Sequence, residues 1–270
     1  MSRHQRRARV IAVASGKGGL GATSLAVNIG VELARFGRRT LLADLDFGLG
    51  GAAVLLGVNA AVDLESLLAG GAPVSSVVLT CPGGLELIPS GAAGDVPQAP
   101  TILLRRLAEA MRPMAHQYDH ILVDVGSGID DCHLASIANS DLAVVMLGEE
   151  PSAFVNTFAL ARRIAALPEP PPVAFVATGT ETAAAAAALF QRFATACLPV
   201  LSMQPRLLGW VPCDRHVGEA VGMRRPCVQL FADAPASMAY RCLAEALAAN
   251  TLAASPGGDR FLALETLHAA

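Results

Sequence analysis

The stretch VIAVASGKGGLGATSLAVNIGVELARFG, residues 10–37, decides the fold. It opens with five apolar residues, a run of strand length. A glycine-rich segment at 16–21 follows, and then Leu25, Ile29, Leu33 and Phe36 recur at helical spacing until Gly37 stops the helix. A strand, a glycine-rich turn and a helix in this order point backbone N–H groups and a helix N-terminus at one anion.

Two templates fit the turn. Gly16, Gly18 and Gly21 satisfy the spacing G-x-G-x-x-G, and Asp44 lies at the end of the next strand, where a ribose-binding acid stands in a dinucleotide fold. The same residues satisfy K-G-G-x-G-x-T, in which consecutive amides cradle phosphates and a threonine hydroxyl reaches Mg²⁺. The second template gives Lys17 and Thr23 work that the first leaves idle. The two differ in strand order. A phosphate-loop sheet sets the strand at 10–14 beside the one at 121–125, whereas a dinucleotide fold sets it beside the one at 40–43.

Outward from this unit, strands and helices alternate. Strands are expected at 40–43, 85–88, 121–125, 142–147, 173–177 and 207–211, which with 10–14 gives about seven. A glycine-rich loop at 48–51, a short helix at 62–68 closed by Gly70 and Gly71, and a helix at 101–111 fall between them. Pro170, Pro171 and Pro172 read as a stiff connection. Repeated β-α units predict an α/β fold with a doubly wound, mostly parallel sheet flanked by helices. Ligands of such sheets bind at the carboxyl ends of the strands. That edge gathers the first loop, Asp44, Asp46, Asp124 and the segment 126–128.

Composition bounds the alternatives. The chain is 53% hydrophobic and 4% aromatic with a formal net charge of −3, which suits buried parallel strands and gives no ground for specific nucleic-acid binding. Arg3, His4, Arg6, Arg7 and Arg9 form a local basic arm over residues 1–9. One domain is expected over 10–250, with a tail at 251–270. The six cysteines show no Cys-x-x-Cys pair and are read as buried small hydrophobes of a reducing cytosol. His116, His120 and His133 lack metal-site spacing. No run of about 18 apolar residues is present.

The segments SGKGGLGATSLAVNIGVELARFGRRTLLADLDFGLGGAAVLLG, LELIPSG, YDHILVDVGSGI, GEEPSAFVNTFALARRI and LGWVPCDRHVGEAV together resemble the MinD/ParA ATPases with a deviant Walker A loop, and within them the flagellar FlhG/FleN branch. The resemblance spans roughly residues 9 to 247. It implies a P-loop NTPase fold binding ATP or ADP with Mg²⁺. Lys17 matches the signature lysine that reaches the partner's phosphates in an ATP-sandwich homodimer. Gly18, Gly19, Leu20, Gly21, Ala22, Thr23 and Ser24 match the phosphate loop, and Thr23, Asp44 and Asp124 the surroundings of Mg²⁺. Asp46 matches the carboxylate that positions the attacking water, and Pro212 and Asp214 match residues near the adenine.

Two positions depart from the family pattern. Ala22 stands where the P-loop lysine belongs, removing a charge-assisted bond worth about 1.5–3 kcal/mol, or one to two decades of affinity. Ala177 and Thr178 stand where an asparagine commonly reads adenine. Loss of the loop lysine is also seen in pilus-localisation ATPases of the TadZ/CpaE type. The resemblance therefore implies a spatial regulator of flagella, with protein partners in the flagellar or pilus machinery and weak or absent hydrolysis. Its alternatives are a nucleotide-independent scaffold for pilus or secretion machinery and an NAD(P)-dependent enzyme. A cytoplasmic protein is expected, peripheral at the inner face of the cell membrane or the pole. In the tail, a hinge at 255–258 precedes Phe261, Leu262, Leu264 and Leu267, with Arg260 balanced by Asp259 and Glu265.

Overall fold

The computed structural model describes residues 7–46, 51–61, 63, 64, 66, 73–91, 100–201 and 204–249. The arm up to residue 6, the loop at 47–50, most of the helix expected at 62–68 and the whole tail from 250 lie outside the described residues.

Along the chain the strands are β1 (Arg9–Ser15), β2 (Thr40–Asp44), β3 (Leu79–Thr80), β4 (Glu86–Ile88), β5 (His120–Ser127), β6 (Leu142–Gly148), β7 (Val173–Thr178) and β8 (Arg206–Val211). The helices are α1 (Ala22–Arg35), α2 (Gly51–Leu56), α3 (Val74–Val77), α4 (Pro100–Met111), α5 (Asp131–Ala138), α6 (Pro151–Ala165), α7 (Ala183–Cys197), α8 (Arg215–Gly222), α9 (Cys227–Leu230) and α10 (Pro235–Ala248). Seven strands match the expected set. The eighth, β3, is two residues long and pairs antiparallel with β4 at the edge, too short to carry an alternation that sequence reading could find.

The sheet order is β3-β4-β2-β5-β1-β6-β7-β8, and every pair but β3–β4 is parallel. β1 lies between β5 and β6, and β5 separates it from β2. This is the order of a phosphate-loop sheet. It excludes the dinucleotide fold, in which β1 and β2 are neighbours.

The alternation along β1 explains the two layers. Val10, Ala12 and Ala14 face a core shared with Leu107 of α4, Leu134 of α5, Leu160 of α6 and Leu189 of α7. Ile11 and Val13 face the other, with Leu25 and Ile29 of α1 and Tyr240 and Leu243 of α10. Helices thus cover both faces, so central strands read as continuous apolar runs.

A row of polar groups on α1, spaced four residues apart, ties the C-terminal helices to the phosphate loop. The Ser24 hydroxyl is 3.4 Å from the Tyr240 hydroxyl. Asn28, 2% exposed, donates to the Ser24 carbonyl at 2.8 Å and accepts the Val228 amide at 3.1 Å. Glu32, 1% exposed, pairs with Arg35 at 2.8 Å and Arg241 at 3.6 Å. At these positions a buried polar group is tolerated because each one is bonded.

The cysteines are free; Cys81, Cys197 and Cys227 are buried as expected, whereas Cys213 and Cys242 are exposed, on a loop and a helix surface. Among the described residues no helix is long and apolar enough to cross a membrane.

Candidate functional site

The loop leaves β1 at Ser15, whose hydroxyl donates to the Lys17 carbonyl at 3.0 Å and holds the turn closed. Gly16 passes against α6 so closely that a Cβ on it would stand 2.5 Å from the Asn156 carbonyl carbon. Only a residue without a side chain fits between β1 and α6 there. Gly21, at φ 90°, takes the left-handed conformation at the head of α1, and its carbonyl accepts the Leu25 amide at 2.8 Å. The chain thereby turns into α1 with the helix N-terminus aimed at the loop's concavity.

Ala22 is 6% exposed and occupies the first position of α1. Its methyl group packs into the core beneath the loop, and the helix forms without a lysine there. A cation at this end has to come from elsewhere. Lys17 is the only lysine in the sequence, against 19 arginines among its 20 basic residues. A compact ammonium stands at the loop in a chain that otherwise uses the planar guanidinium.

Lys17 does not hang free. Its Nζ bonds to a carboxylate oxygen of Glu150 and donates to the Ser152 hydroxyl at 2.9 Å, at the β6–α6 junction. The lysine holds the Glu150 carboxyl below its ordinary range. Lys17, Gly18, Gly19 and Leu20 form one wall of an open cleft of about 710 Å³, and Gly148, Glu149, Glu150, Pro151, Thr178 and Gly179 the other.

Three acids stand on the same edge. Asp44 ends β2 and pairs in register with Asp124, which lies within β5 toward its carboxyl end; both are fully buried. Asp44 accepts the amides of Asp46 at 3.0 Å and Ala52 at 3.1 Å, so it also anchors the start of α2. Burial raises it to about 6. Burial and the neighbouring Asp44 charge raise Asp124 to about 7, against the Thr23 hydroxyl, which steadies the ionised form. Asp124 accepts the Gly126 amide at 3.2 Å, but no hydrogen bond of ordinary geometry reaches its buried Oδ2. Asp46 lies against Gly126, where a Cβ would come within 2.8 Å of its Cγ. Its carboxyl is raised by burial, while His133 pulls the other way.

This donor set fits a magnesium ion with a phosphate. The buried Asp124 oxygen, the Thr23 hydroxyl beside that carboxylate and the neighbouring Asp44 charge call for a cation that a phosphate would help to hold, for among the described residues no group of three or more acids, histidines or cysteines is arranged to hold a metal by itself. The sheet edge brings Asp44, Asp46 and Asp124 near one another, with the Thr23 hydroxyl beside Asp124.

Pro212 and Asp214 are not among the residues that line the cleft, and neither are Thr23, Asp44, Asp46 and Asp124. Asp214 accepts the His216 amide at 3.0 Å, the His216 ring nitrogen at 2.8 Å and the Ala236 amide at 3.0 Å. It caps α8 and also receives the amide of Ala236 in the first turn of α10, and these bonds hold it below the ordinary carboxylate range against the cost of burial. The side chain is spent on structure. Thr178 and Gly179 face the cleft instead. Sequence reading assigned no role to Glu149, Glu150 or Ser152. The one signal was Glu-Glu-Pro at the end of a buried strand, where two adjacent acids meet a phosphate-binding edge.

Comparison with known proteins agrees with this geometry. A family model described as an AAA domain matches residues 8–169. The antiactivator FleN of Pseudomonas aeruginosa is 28% identical over 261 residues, covering 96% of this chain and 93% of that protein. An uncharacterized ATP-binding protein of Methanocaldococcus jannaschii is 27% identical over 245 residues, covering 88% and 86%. Among solved structures, the septum site-determining protein MinD of Pyrococcus horikoshii, complexed with Mg-ADP, superposes with a TM-score of 0.74 at 22% identity, over 90% of this chain and 98% of that one. The MinC:MinD cell division complex of Aquifex aeolicus gives 0.73 at 23% identity, over 91% and 97%. With a glycine loop between β1 and α1, β1 set between β5 and β6, and a family match over well more than half its length, the chain belongs to the AAA domain family and has a MinD-like P-loop α/β fold.

Proposed function

We propose that this chain is a nucleotide-dependent dimer switch that sets the placement or number of flagella, with slow or absent ATP hydrolysis. The observation that carries the reading is Lys17 on the glycine-lined rim of a cleft at the head of α1, on the sheet edge that also carries the buried pair Asp44 and Asp124. The similarity to FleN over nearly the whole of both chains supports the flagellar branch.

In this reading the amides of residues 18–21 and the N-terminus of α1 hold the phosphates. Thr23, Asp44 and Asp124 would hold a magnesium ion, which would supply positive charge to offset that of the phosphates. Asp46, two residues beyond the end of β2 and lying against Gly126, orients a water. Lys17 supplies to a second copy the ammonium that Ala22 withholds in each. Without a lysine inside the loop, transition-state charge is met by one cation fewer, so turnover is slow. Binding of partners in the flagellar machinery by the dimer is then the main activity, at the inner face of the membrane or the pole.

Ala22 itself favours a second reading, a scaffold that dimerises without nucleotide. Calorimetric titration with Mg-ATP, with mass followed by light scattering, separates the two. Saturable binding with a shift from monomer to dimer supports the switch. No heat and a constant mass reject it in favour of the scaffold.

A further inference from the structure

The bond between Lys17 and Glu150 has a consequence for how this site is controlled. Both side chains are on the cleft rim: Lys17 is 35% exposed and Glu150 65%. Ser152 completes the grip with its hydroxyl on the same nitrogen. Glu150 is the last residue before α6 and Pro151 the first within it, so the backbone that carries the carboxylate is stiff. The close approach of Gly16 to Asn156 seats α6 against the loop, so the two ends of the bond are carried by adjoining backbone.

The charges around the cleft do not favour an anion in this state. Ala22 brings none, Lys17 is matched by Glu150, and Glu149 adds a further carboxylate to the lining. A nucleotide entering the cleft meets the glycine amides but no uncommitted lysine. A phosphate, its own or a partner's, has to compete with Glu150 for the Lys17 ammonium, whose charge that carboxylate already matches.

We infer that Glu150 is a positioning residue of this site: it holds Lys17 in place within the free chain, and nucleotide binding and pairing of two copies proceed by exchange of that carboxylate for phosphate. This rests on the nucleotide reading above. It adds a latch that makes the chain's one ammonium available only when a polyphosphate competes for it. Held at Glu150 and Ser152, the ammonium is kept on its own chain, so the latch opposes pairing in the absence of nucleotide.

Because Lys17 is the only lysine, an amine-specific reagent reports on it directly. Acylation by an N-hydroxysuccinimide ester can be followed on the peptide 10–35, released by cleavage at arginine. Glu150→Gln removes the charge and keeps the shape, and Glu150→Asp keeps the charge. The expected result is faster acylation of Lys17 in Glu150→Gln than in wild type, wild-type behaviour in part restored by Glu150→Asp, and Mg-ATP binding about two- to fivefold tighter in Glu150→Gln, the range an exposed ion pair commands. Equal acylation rates in wild type and Glu150→Gln would overturn the latch. Faster acylation with unchanged Mg-ATP affinity would show the bond to be ornamental to the site and overturn its control of binding. Faster acylation with no Mg-ATP binding by either protein would leave the bond standing, sink the nucleotide reading and take the exchange step with it. Circular dichroism of each variant verifies the fold, and neither substitution touches the core.

Discussion

Asp44 and Asp124 face each other across the β2–β5 pair, in register and without exposure to solvent. Two carboxylates in that position cannot both ionise cheaply, and the pair titrates as a unit near 6 and 7. The folded chain therefore keeps protons that the unfolded chain, with carboxyls near 3.8, has released. By linkage, the contribution of this pair to stability is greatest below about 4 and is lost as pH rises through 7. In EDTA, Asp124→Asn is expected to remove the greater part of that slope between pH 5 and 8, seen as a flatter dependence of Tm on pH. Added Mg²⁺ is expected to raise the wild-type Tm at pH 8 more than at pH 5.5, since ion and proton compete. An Mg²⁺ shift independent of pH would contradict the assignment of this pair to the metal.

The missing loop lysine can be restored. Ala22→Lys is expected to tighten Mg-ATP binding by about 10- to 100-fold, the worth of one charge-assisted bond. Calorimetry decides, and unchanged affinity would mean that Ala22 is not the limiting defect.

Two glycines of the loop should respond differently. At Gly16 a methyl group would collide with backbone atoms of α6, 2.5 Å away, whereas at Gly18 the first atom met is the Ser127 hydroxyl at 3.5 Å. Gly16→Ala is expected to cost about 1–3 kcal/mol of stability by urea denaturation. Gly18→Ala should leave stability nearly unchanged and act on nucleotide binding alone.

The dual engagement of Asp214 makes a further prediction. Asp214→Ala is expected to destabilise the fold by about 1–2 kcal/mol through the lost cap. Nucleotide affinity, measured where the variant is fully folded, should change by less than threefold, since the carboxylate is taken up by His216 and the Ala236 amide. A large selective loss of ATP binding would place Asp214 at the base instead.

How far the chain could be read in advance follows from the range of each interaction. The strand at 10–14, the turn and α1 were legible because their signals are local: an apolar run, glycines, and a helical period. Asp44, Asp46 and Asp124 were legible as neighbours because acids toward the carboxyl ends of parallel strands gather on one edge. Glu150 was not, for its partner is 133 residues away and nothing near it announces a lysine. Asp214 resembled a residue of the base site, yet its neighbours in sequence, Arg215 and His216, begin a helix that needs a cap. The two-residue β3 is held by the edge of β4 and has no signature of its own.

The row formed by Ser24, Asn28 and Glu32 gives the C-terminal helices a particular dynamic character. Asn28 holds the amide that opens α9, Glu32 holds α10 through Arg241, and Asp214 joins the start of α8 to that of α10. No one of the three helices can detach without exposing the buried partners of the others. Residues 215–248 should thus open as one cooperative unit, their amides exchanging with deuterium at a common rate, and that rate should be governed from the helix that carries the phosphate loop.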